Sequence, residues 1–274
     1  MLVLLLALAA PPAAASSVAA APGGDAERGA DLAALAGCEA CHTAKGGAPY
    51  AGGYAIDTPY GTFYGPNITP DPTHGIGAWT QRDFARAMDR GRDPRGHNLY
   101  PAFPYAAFTH MTNDDVADLW AYLQTVPAAP EPDLPHELHR YRWRGALSGW
   151  KLMELRRAPL PPQDDPELAR GQYLVLAVAH CQECHTPRNG IGGLKAGQAF
   201  AGGNLPPEKG PDIRPGQGWT RSDWEDLLDG GMKPDGDVVG GQMGRIVDEG
   251  TSQLSAEDRR AIIRYMMEVV PPGT

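Results

Sequence analysis

Two stretches of the chain repeat the same arrangement of polar and apolar positions. In each, a hydroxyl residue and two acidic residues precede an apolar series with helical spacing. The apolar residues are Val116, Leu119, Trp120 and Leu123 in the first stretch and Ile262, Ile263 and Met266 in the second. This spacing places them on one helix face, and Thr112 and Ser255 are typical N-cap residues. We predict two amphipathic helices that end near Val126-Pro127 and Val270-Pro271, because proline cannot continue a helix.

The duplication extends upstream of these two helices. Short amphipathic helices are predicted from Asp25 to Leu32 and from Pro166 to Leu174, each with an Arg-Gly pair. The matched motifs that follow are Ala51-Gly52-Gly53 with Ala201-Gly202-Gly203, Gly65-Pro66-Asn67-Ile68 with Gly210-Pro211-Asp212-Ile213, and Trp79-Thr80 with Trp219-Thr220. Each Trp-Thr pair is expected to open a further helix. The sequence therefore predicts one unit at 23–128 and a second at 164–274.

The connection between the units, residues 129–163, is rich in proline and charge but also contains large apolar side chains. These are Tyr141, Trp143, Trp150, Leu152 and Met153. A solvated linker carries few aromatic residues. We therefore expect an ordered strap that packs across both units; the alternative is that it docks a partner.

Residues 1–21 form a separate N-terminal segment. Leu2 to Ala10 is an apolar run, followed by two prolines and small residues. This pattern is typical of a secretory signal with cleavage after Ala15, Ala20 or Ala21, although the usual basic residues are missing. The run is too short to span a bilayer, and a lipid-embedded anchor is the alternative. The segment predicts export to the periplasm.

Composition narrows the classes of function. The 274 residues carry a formal net charge of −9, which makes nucleic acid an unfavourable partner because phosphate contacts require Lys and Arg. The 34 glycines and 27 prolines predict short helices joined by long loops. Such loops can be ordered if a large rigid cofactor fills the core.

All four cysteines lie in two motifs with the same spacing. The motifs are Cys38-Glu39-Ala40-Cys41-His42 and Cys181-Gln182-Glu183-Cys184-His185. Cys-x-x-Cys-His is the attachment motif of c-type haem, whose two vinyl groups bond two thiols one helical turn apart. Disulfides, a redox Cys-x-x-Cys and a zinc site are the alternatives. Zinc ribbons separate their pairs by roughly 15–20 residues, far less than here. The motifs predict two covalently attached haem c groups.

Three further segments carry a resemblance to a known family. They are Asn67-Ile68-Thr69-Pro70-Asp71-Pro72, Leu99-Tyr100-Pro101-Ala102-Phe103-Pro104-Tyr105 and Cys184-His185-Thr186-Pro187-Arg188-Asn189. With the haem motifs, they resemble class I cytochromes c, and more closely the bacterial multihaem cytochromes c that serve periplasmic dehydrogenases, such as the cytochrome subunit of membrane-bound alcohol dehydrogenase. Those subunits have three haem sites, whereas this chain has two. The resemblance implies an all-α fold of two tandem class I cytochrome c domains, each with a few short helices around one covalent haem, joined by an ordered strap.

The resemblance also implies the first ligand of each iron. His42 and His185 would be the proximal ligands, and the carbonyls of Pro66 and Pro211 would accept a hydrogen bond from the other ring nitrogen. The thiols of Cys38, Cys41, Cys181 and Cys184 would bind the haems covalently.

On the opposite side of each iron, the resemblance implies a methionine ligand. Met243, in a glycine-bordered loop, is the expected ligand of the second haem, while Met232 is typical of an exposed turn. In the first domain, Phe103 stands where relatives carry the ligand, and phenylalanine cannot coordinate iron. Met111 is the favoured replacement; His110, another residue or an open site are the alternatives, and Met88 is expected in the core.

Imidazole and thioether together fill the coordination sphere of iron and raise its reduction potential. This ligand set predicts a periplasmic electron carrier. Its donor would be a dehydrogenase or quinol-oxidising complex, and its acceptor a cytochrome or terminal oxidase. It could be free or part of a peripheral membrane complex, and its acidic surface would favour a basic partner patch. One alternative is a haem enzyme, peroxidase-like or a small-oxidant reductase, that uses an open or weakly ligated first haem. The other is a haem-based sensor or structural subunit.

Overall fold

The computed structural model describes residues 23–139, 143–204, 209–216 and 218–273. The N-terminal segment at 1–21, with its candidate cleavage sites, and Tyr141 of the strap lie outside the described residues. Within the described ranges, no helix combines the length and apolarity needed to cross a bilayer.

The first unit is built from five helices around the first haem motif. They are α1 (Ala26–Leu35), α2 (Cys38–His42), α3 (Gln81–Arg90), α4 (Tyr105–Phe108) and α5 (Asn113–Leu123). The predicted starts of two of them are confirmed, because the side chain of Thr80 caps α3 and that of Thr112 caps α5. In both cases a hydroxyl accepts a hydrogen bond from an N–H group of the first turn.

A small antiparallel sheet adds to the predicted all-α architecture. Its strands are β1 (Ala55–Thr58), β2 (Gly61–Tyr64) and β3 (Glu137–Leu138), in the order β1-β2-β3. Ile56 pairs with Phe63 between β1 and β2, and Gly61 pairs with Leu138 between β2 and β3. β3 belongs to the strap, so the sheet fastens the strap to the first unit.

The strap also contains a helix, α6 (Leu147–Glu154), which contacts both units. Lys151 donates hydrogen bonds to the carbonyls of Arg90 and Gly91 in the first unit. Trp150 donates its indole N–H to the carbonyl of Ile191 in the second unit, at 3.0 Å. The expectation of an ordered strap that packs across both units agrees with these contacts.

The second unit repeats the first. Its helices are α7 (Pro166–Tyr173), α8 (Gln182–His185), α9 (Arg221–Gly230), α10 (Gly241–Glu249) and α11 (Ala256–Glu268). A π-helical segment over Leu174–Val178 extends α7 towards the haem motif. Thr220 and Ser255 cap α9 and α11, as predicted.

In each unit the first and last helices cross at a glycine. A β-carbon placed on Gly29 would lie 2.0 Å from the carbonyl oxygen of Asp118, and one placed on Gly171 would lie 2.0 Å from that of Ala261. Such a distance is far below van der Waals contact, so only glycine allows α1 to approach α5 and α7 to approach α11 this closely. The crossing fixes the end of each first helix, which leads directly into a haem motif.

Candidate haem sites

Each cysteine pair is delivered by one short helical turn. α2 begins after Gly37, which adopts the left-handed conformation (φ 62°) and redirects the chain from α1 into the motif. Cys38 and Cys41 then stand one turn apart, and α8 spaces Cys181 and Cys184 in the same way. None of these four cysteines, all within the described part of the chain, is in a disulfide.

Both motif histidines are oriented by a proline carbonyl. His42 donates from Nδ1 to the carbonyl of Pro66 at 2.7 Å, and His185 donates from Nδ1 to the carbonyl of Pro211 at 2.9 Å. This bond fixes the tautomer and leaves Nε2 available for a metal. Burial lowers the pKa of both imidazoles. Their neutral form, the one that coordinates iron, is thereby favoured.

The two motifs open onto one continuous cavity of about 1170 Å³. Its wall includes both cysteine pairs, both motif histidines, and the aromatic side chains of Phe63, Tyr100, Trp219 and Trp224. Ligand pockets for one small molecule usually measure about 300–1,000 Å³. A larger, mostly apolar space with two thiol pairs and two neutral imidazoles fits two haem groups.

Three of the four thiols, those of Cys38, Cys41 and Cys181, are held in a low-dielectric environment, whereas Cys184 is exposed. Burial raises the pKa of Cys38 and Cys181 to about 12 and that of Cys41 to about 11. A redox-active Cys-x-x-Cys requires the opposite shift, because its nucleophile is a thiolate with a lowered pKa. Within the described residues, no group of three or more His, Cys, Asp or Glu side chains could hold a separate metal ion.

Met243 lines the same cavity as His185. The sequence predicted it in a loop, but it occupies the first turn of α10, which begins directly after Gly240. The flanking glycines suggested a loop, whereas Ile246 and Val247 supply the apolar face that makes the segment a helix. A helix fixes the backbone of Met243 more firmly than a glycine-rich loop would.

The corresponding position of the first unit is Phe103. Leu99 N–H donates to the carbonyl of Gly91, and Val239 N–H donates to that of Gly231, so the two segments share one register. Four residues beyond Leu99 and Val239 stand Phe103 and Met243. Phe103 also lines the cavity. The structure therefore places a side chain without a donor atom where the second unit presents a thioether.

Met111 is not brought to the cavity. Among the described residues it lies in the hydrophobic core, 8% exposed, and is not part of the cavity wall. Its role as an iron ligand stays a prediction. Met88 is buried in the core and Met232 is 43% exposed, as expected for a helix core residue and an exposed turn.

Sequence reasoning missed the contributions that come from distant segments. Trp150 and Met153 of α6 line the cavity, and Gln242 and Arg245 of α10 contact the first haem motif. For the strap, the unusual aromatic content was a usable signal. For Gln242 and Arg245 the local pattern carried none.

Comparison with known proteins agrees with this geometry. The family model described as "Cytochrome c" matches residues 26–127 and again residues 168–269. The chain belongs to the cytochrome c family. Its two units are tandem cytochrome c domains, which confirms the family resemblance and the predicted fold. Two domains, each with a complete attachment motif, confirm two haem c groups as the cofactors.

Relatives of this cytochrome include a dihaem protein and subunits of several dehydrogenases. A "Diheme cytochrome c-type" protein of Cereibacter sphaeroides is 42% identical over 256 residues, covering 90% of this chain and 86% of that protein. The cytochrome c subunit of alcohol dehydrogenase (quinone) from Gluconobacter oxydans is 38% identical over 268 residues, covering 90% of this chain but 55% of that subunit. A subunit of the nicotinate dehydrogenase of Pseudomonas putida is also 38% identical over 248 residues, which cover 88% of this chain and 21% of that subunit.

Proposed function

We propose that this dihaem cytochrome c is a periplasmic electron carrier. It takes electrons from a dehydrogenase or quinol-oxidising complex and passes them to a downstream cytochrome or terminal oxidase. The observation that carries this proposal is the position of Met243, which lines the haem cavity together with His185. At the second haem, His185 and Met243 would occupy both sides of the iron and would leave no position for a substrate.

The residues that would hold each haem are assigned as follows. Cys38 and Cys41 anchor the first haem and Cys181 and Cys184 the second, while His42, His185 and Met243 are the proposed iron ligands. Bound haem supplies an iron that gains or loses one electron at a time. The chain contributes the neutral imidazoles oriented by proline carbonyls, an apolar wall that limits water, and a fixed position of one haem motif relative to the other.

The nature of the relatives supports a dehydrogenase as donor. Besides the alcohol and nicotinate dehydrogenase subunits, similar proteins include the cytochrome c subunit of gluconate 2-dehydrogenase from Pantoea cypripedii and the cytochrome subunit of fructose dehydrogenase from Gluconobacter japonicus. The net charge of −9 supports a partner with a basic docking patch, since complementary charge raises the rate of encounter. The signal-like segment at 1–21 supports export to the periplasm.

The proposal is tested with the holoprotein purified from the periplasm. The oxidised protein is mixed with a quinone-dependent alcohol dehydrogenase catalytic subunit plus ethanol and, separately, with duroquinol. We expect one of these donors to reduce both haems, with a rate that falls as salt is added, and an oxidised acceptor cytochrome to reoxidise them. Sequencing of the mature N-terminus tests export, which predicts a start after Ala15, Ala20 or Ala21.

Two results would overturn the proposal. Haems that stay oxidised with both donors, in a protein that consumes hydrogen peroxide, would indicate a haem enzyme instead. An intact N-terminal segment found only in the cytoplasmic fraction would remove the periplasmic assignment.

A further inference from the structure

Helix α10 contacts both haem sites. Its first turn carries Met243, which lines the cavity beside the second haem motif. Its neighbouring residues contact α2, the helix that bears the first haem motif. Arg245 donates from Nη1 to the carbonyl of Ala40 at 2.6 Å. Ile246 approaches so closely that a β-carbon on Gly37 would lie 2.6 Å from its Cδ1.

Within this contact, Gln242 reaches Cys41, the cysteine that would anchor the first haem. Its Nε2 lies 3.8 Å from Cys41 Sγ and donates to it. In the haem-bound protein Cys41 Sγ is a thioether sulfur, which remains a weak hydrogen-bond acceptor like that of methionine. The sulfur that anchors one haem and the proposed ligand of the other iron are thus joined through two consecutive residues, Gln242 and Met243.

The first domain fixes the orientation of the Gln242 amide. The hydroxyl of Tyr54 donates to Gln242 Oε1 at 3.0 Å, which turns Nε2 towards the sulfur. The guanidinium of Arg245 lies 5.1 Å from the centroid of the Tyr54 ring and supports it. Tyr54, Gln242, Arg245 and Cys41 therefore form one connected unit across the domain interface.

The first domain has no matching amide at the equivalent position. Three positions beyond Leu99, where the second domain has Gln242, the first domain has Ala102, whose side chain has no polar atom. Next to the second haem motif, His180 contacts the first domain instead: its Nε2 lies 3.1 Å from the carbonyl of Ala36, and its ring packs on Phe108. The glutamine that links a haem anchor to a ligand-bearing turn is therefore a feature of the second domain.

We propose that Gln242 is a positioning residue that couples the two haem sites. Through Cys41 it adjusts the electron density at the first haem, and through the adjacent backbone it holds Met243 towards the second. A donor on the thioether sulfur favours the reduced iron, because it withdraws electron density. Removal of this one side chain from the second domain should therefore change both haems. The inference requires haem attachment but no particular redox partner.

The test compares three holoprotein variants with wild type. Gln242→Ala installs the residue of the first domain, Tyr54→Phe leaves Gln242 in place but removes the hydroxyl that donates to its Oε1, and Gln124→Ala is the matched control on the exposed end of α5. For Gln242→Ala we expect a lower potential of the first haem, a weaker methionine–iron charge-transfer band of the second, and slower electron exchange between the haems after flash reduction. Tyr54→Phe should give the same changes with smaller size, and Gln124→Ala none.

If Gln242 had only a structural role, the three readouts would change only together with the Soret spectrum or the unfolding midpoint. A change in the readouts of a variant whose Soret spectrum and unfolding midpoint equal those of wild type therefore indicates coupling. The coupling is rejected if Gln242→Ala alters the second haem alone, or if Tyr54→Phe and Gln242→Ala act additively in the double variant. Residues of one hydrogen-bonded unit should be non-additive. Should Gln242→Ala attach haem poorly, the Tyr54→Phe variant, which leaves α10 unchanged, decides the question.

Discussion

The two domains share a proximal half and differ in the distal half. Histidine, proline carbonyl and glycine helix crossing are repeated with nearly the same geometry: the Nδ1-to-carbonyl distances are 2.7 and 2.9 Å. On the distal side, the second domain has the nine-residue helix α10 with Met243, whereas the first has Phe103 followed by the four-residue helix α4. Duplication has therefore kept the attachment motif and its histidine environment constant and varied the residue at the distal position.

Proline accounts for this difference in local structure. In the first domain Pro101 and Pro104 flank Phe103, and α4 begins directly after Pro104. Proline lacks the N–H that continues a helical ladder. In the second domain Gly240 and Gly241 stand in this region, and α10 begins at once. The longer helix then extends across the interface to α2 and the first haem motif, whereas the shorter α4 packs against the π-helical segment that precedes the second motif.

The largest expected effect concerns the helix crossing at a glycine, which both domains share. Gly29→Ala and Gly171→Ala each place a β-carbon about 2 Å from a backbone oxygen, so the crossing helices must separate. Overpacked cores usually lose roughly 1–3 kcal/mol, and a clash with backbone should reach the upper end of this range or abolish folding. Denaturant unfolding followed by circular dichroism and the Soret band measures the loss. Gly230→Ala, with open space around the new carbon, is the control and should change little. Unequal losses at Gly29 and Gly171 would show that the two crossings are not equivalent.

The next largest effect is expected when the distal residues Met243 and Phe103 are exchanged between the domains. Met243→Phe should remove the methionine–iron charge-transfer band of the second haem, lower its potential and let the reduced haem bind carbon monoxide. Phe103→Met should do the reverse in the first domain, because the shared register places its sulfur where Met243 stands in the second. Optical titration and carbon monoxide binding measure both. If Phe103→Met leaves the first haem unchanged, another residue already occupies that side of the iron.

Substitution of Met111 tests directly whether this residue is the distal ligand of the first haem. Met111→Leu nearly conserves volume at a buried position, so it should cost less than about 1.5 kcal/mol and leave the spectrum of the first haem unchanged. The spectrum of the holoprotein and its unfolding midpoint measure this. Disappearance of a charge-transfer band from the first haem would instead make Met111 its ligand, in agreement with the prediction from sequence.

The features that sequence could predict are those encoded locally. Cys38 to His42 and the capped helix after Thr112 are complete within one or two turns, so spacing alone identifies them. The helical state of Met243 was missed because Gly240 and Gly241 favour a loop, while the packing of Ile246 against the first domain decides for a helix. Contacts such as Gln242 with Cys41 join residues far apart in the chain, and no local pattern encodes them.

A further prediction concerns the contact that Lys151 of the strap makes with the first domain. Lys151 donates to the carbonyls of Arg90 and Gly91 at the C-terminus of α3, and to Asn98 Oδ1 at 3.0 Å. Lys151→Met leaves these acceptors without their charged donor, at a cost of about 1.5–3 kcal/mol. We expect the first domain to lose stability and its haem to become more accessible to added imidazole, with the second haem unaffected. Lys45→Met, at an exposed position, is the control. Equal destabilisation of both haem environments would contradict a role of Lys151 confined to the first domain.

The smallest expected effect is a dependence on pH at the contact between α7 and α11 in the second domain. Arg264 of α11 donates to Glu167 at 2.5 Å and to Asp165 at 3.0 Å, and so ties α11 to the start of α7. Its hydrogen bonds lower the pKa of both carboxyl groups below their ordinary values of 3.8 and 4.5.

As pH falls, the unfolded chain therefore takes up protons before the folded chain does, and stability declines. The contribution is complete above about pH 5 and is lost as pH falls through these values towards the lowered pKa of each group. Arg264→Gln should lower the unfolding midpoint slightly at pH 7, because exposed ion pairs contribute little, and should flatten its fall in this range, so that variant and wild type converge at low pH. Arg95→Gln in the first domain should keep the wild-type slope, and an unchanged slope in Arg264→Gln would assign acid sensitivity to other carboxyl groups.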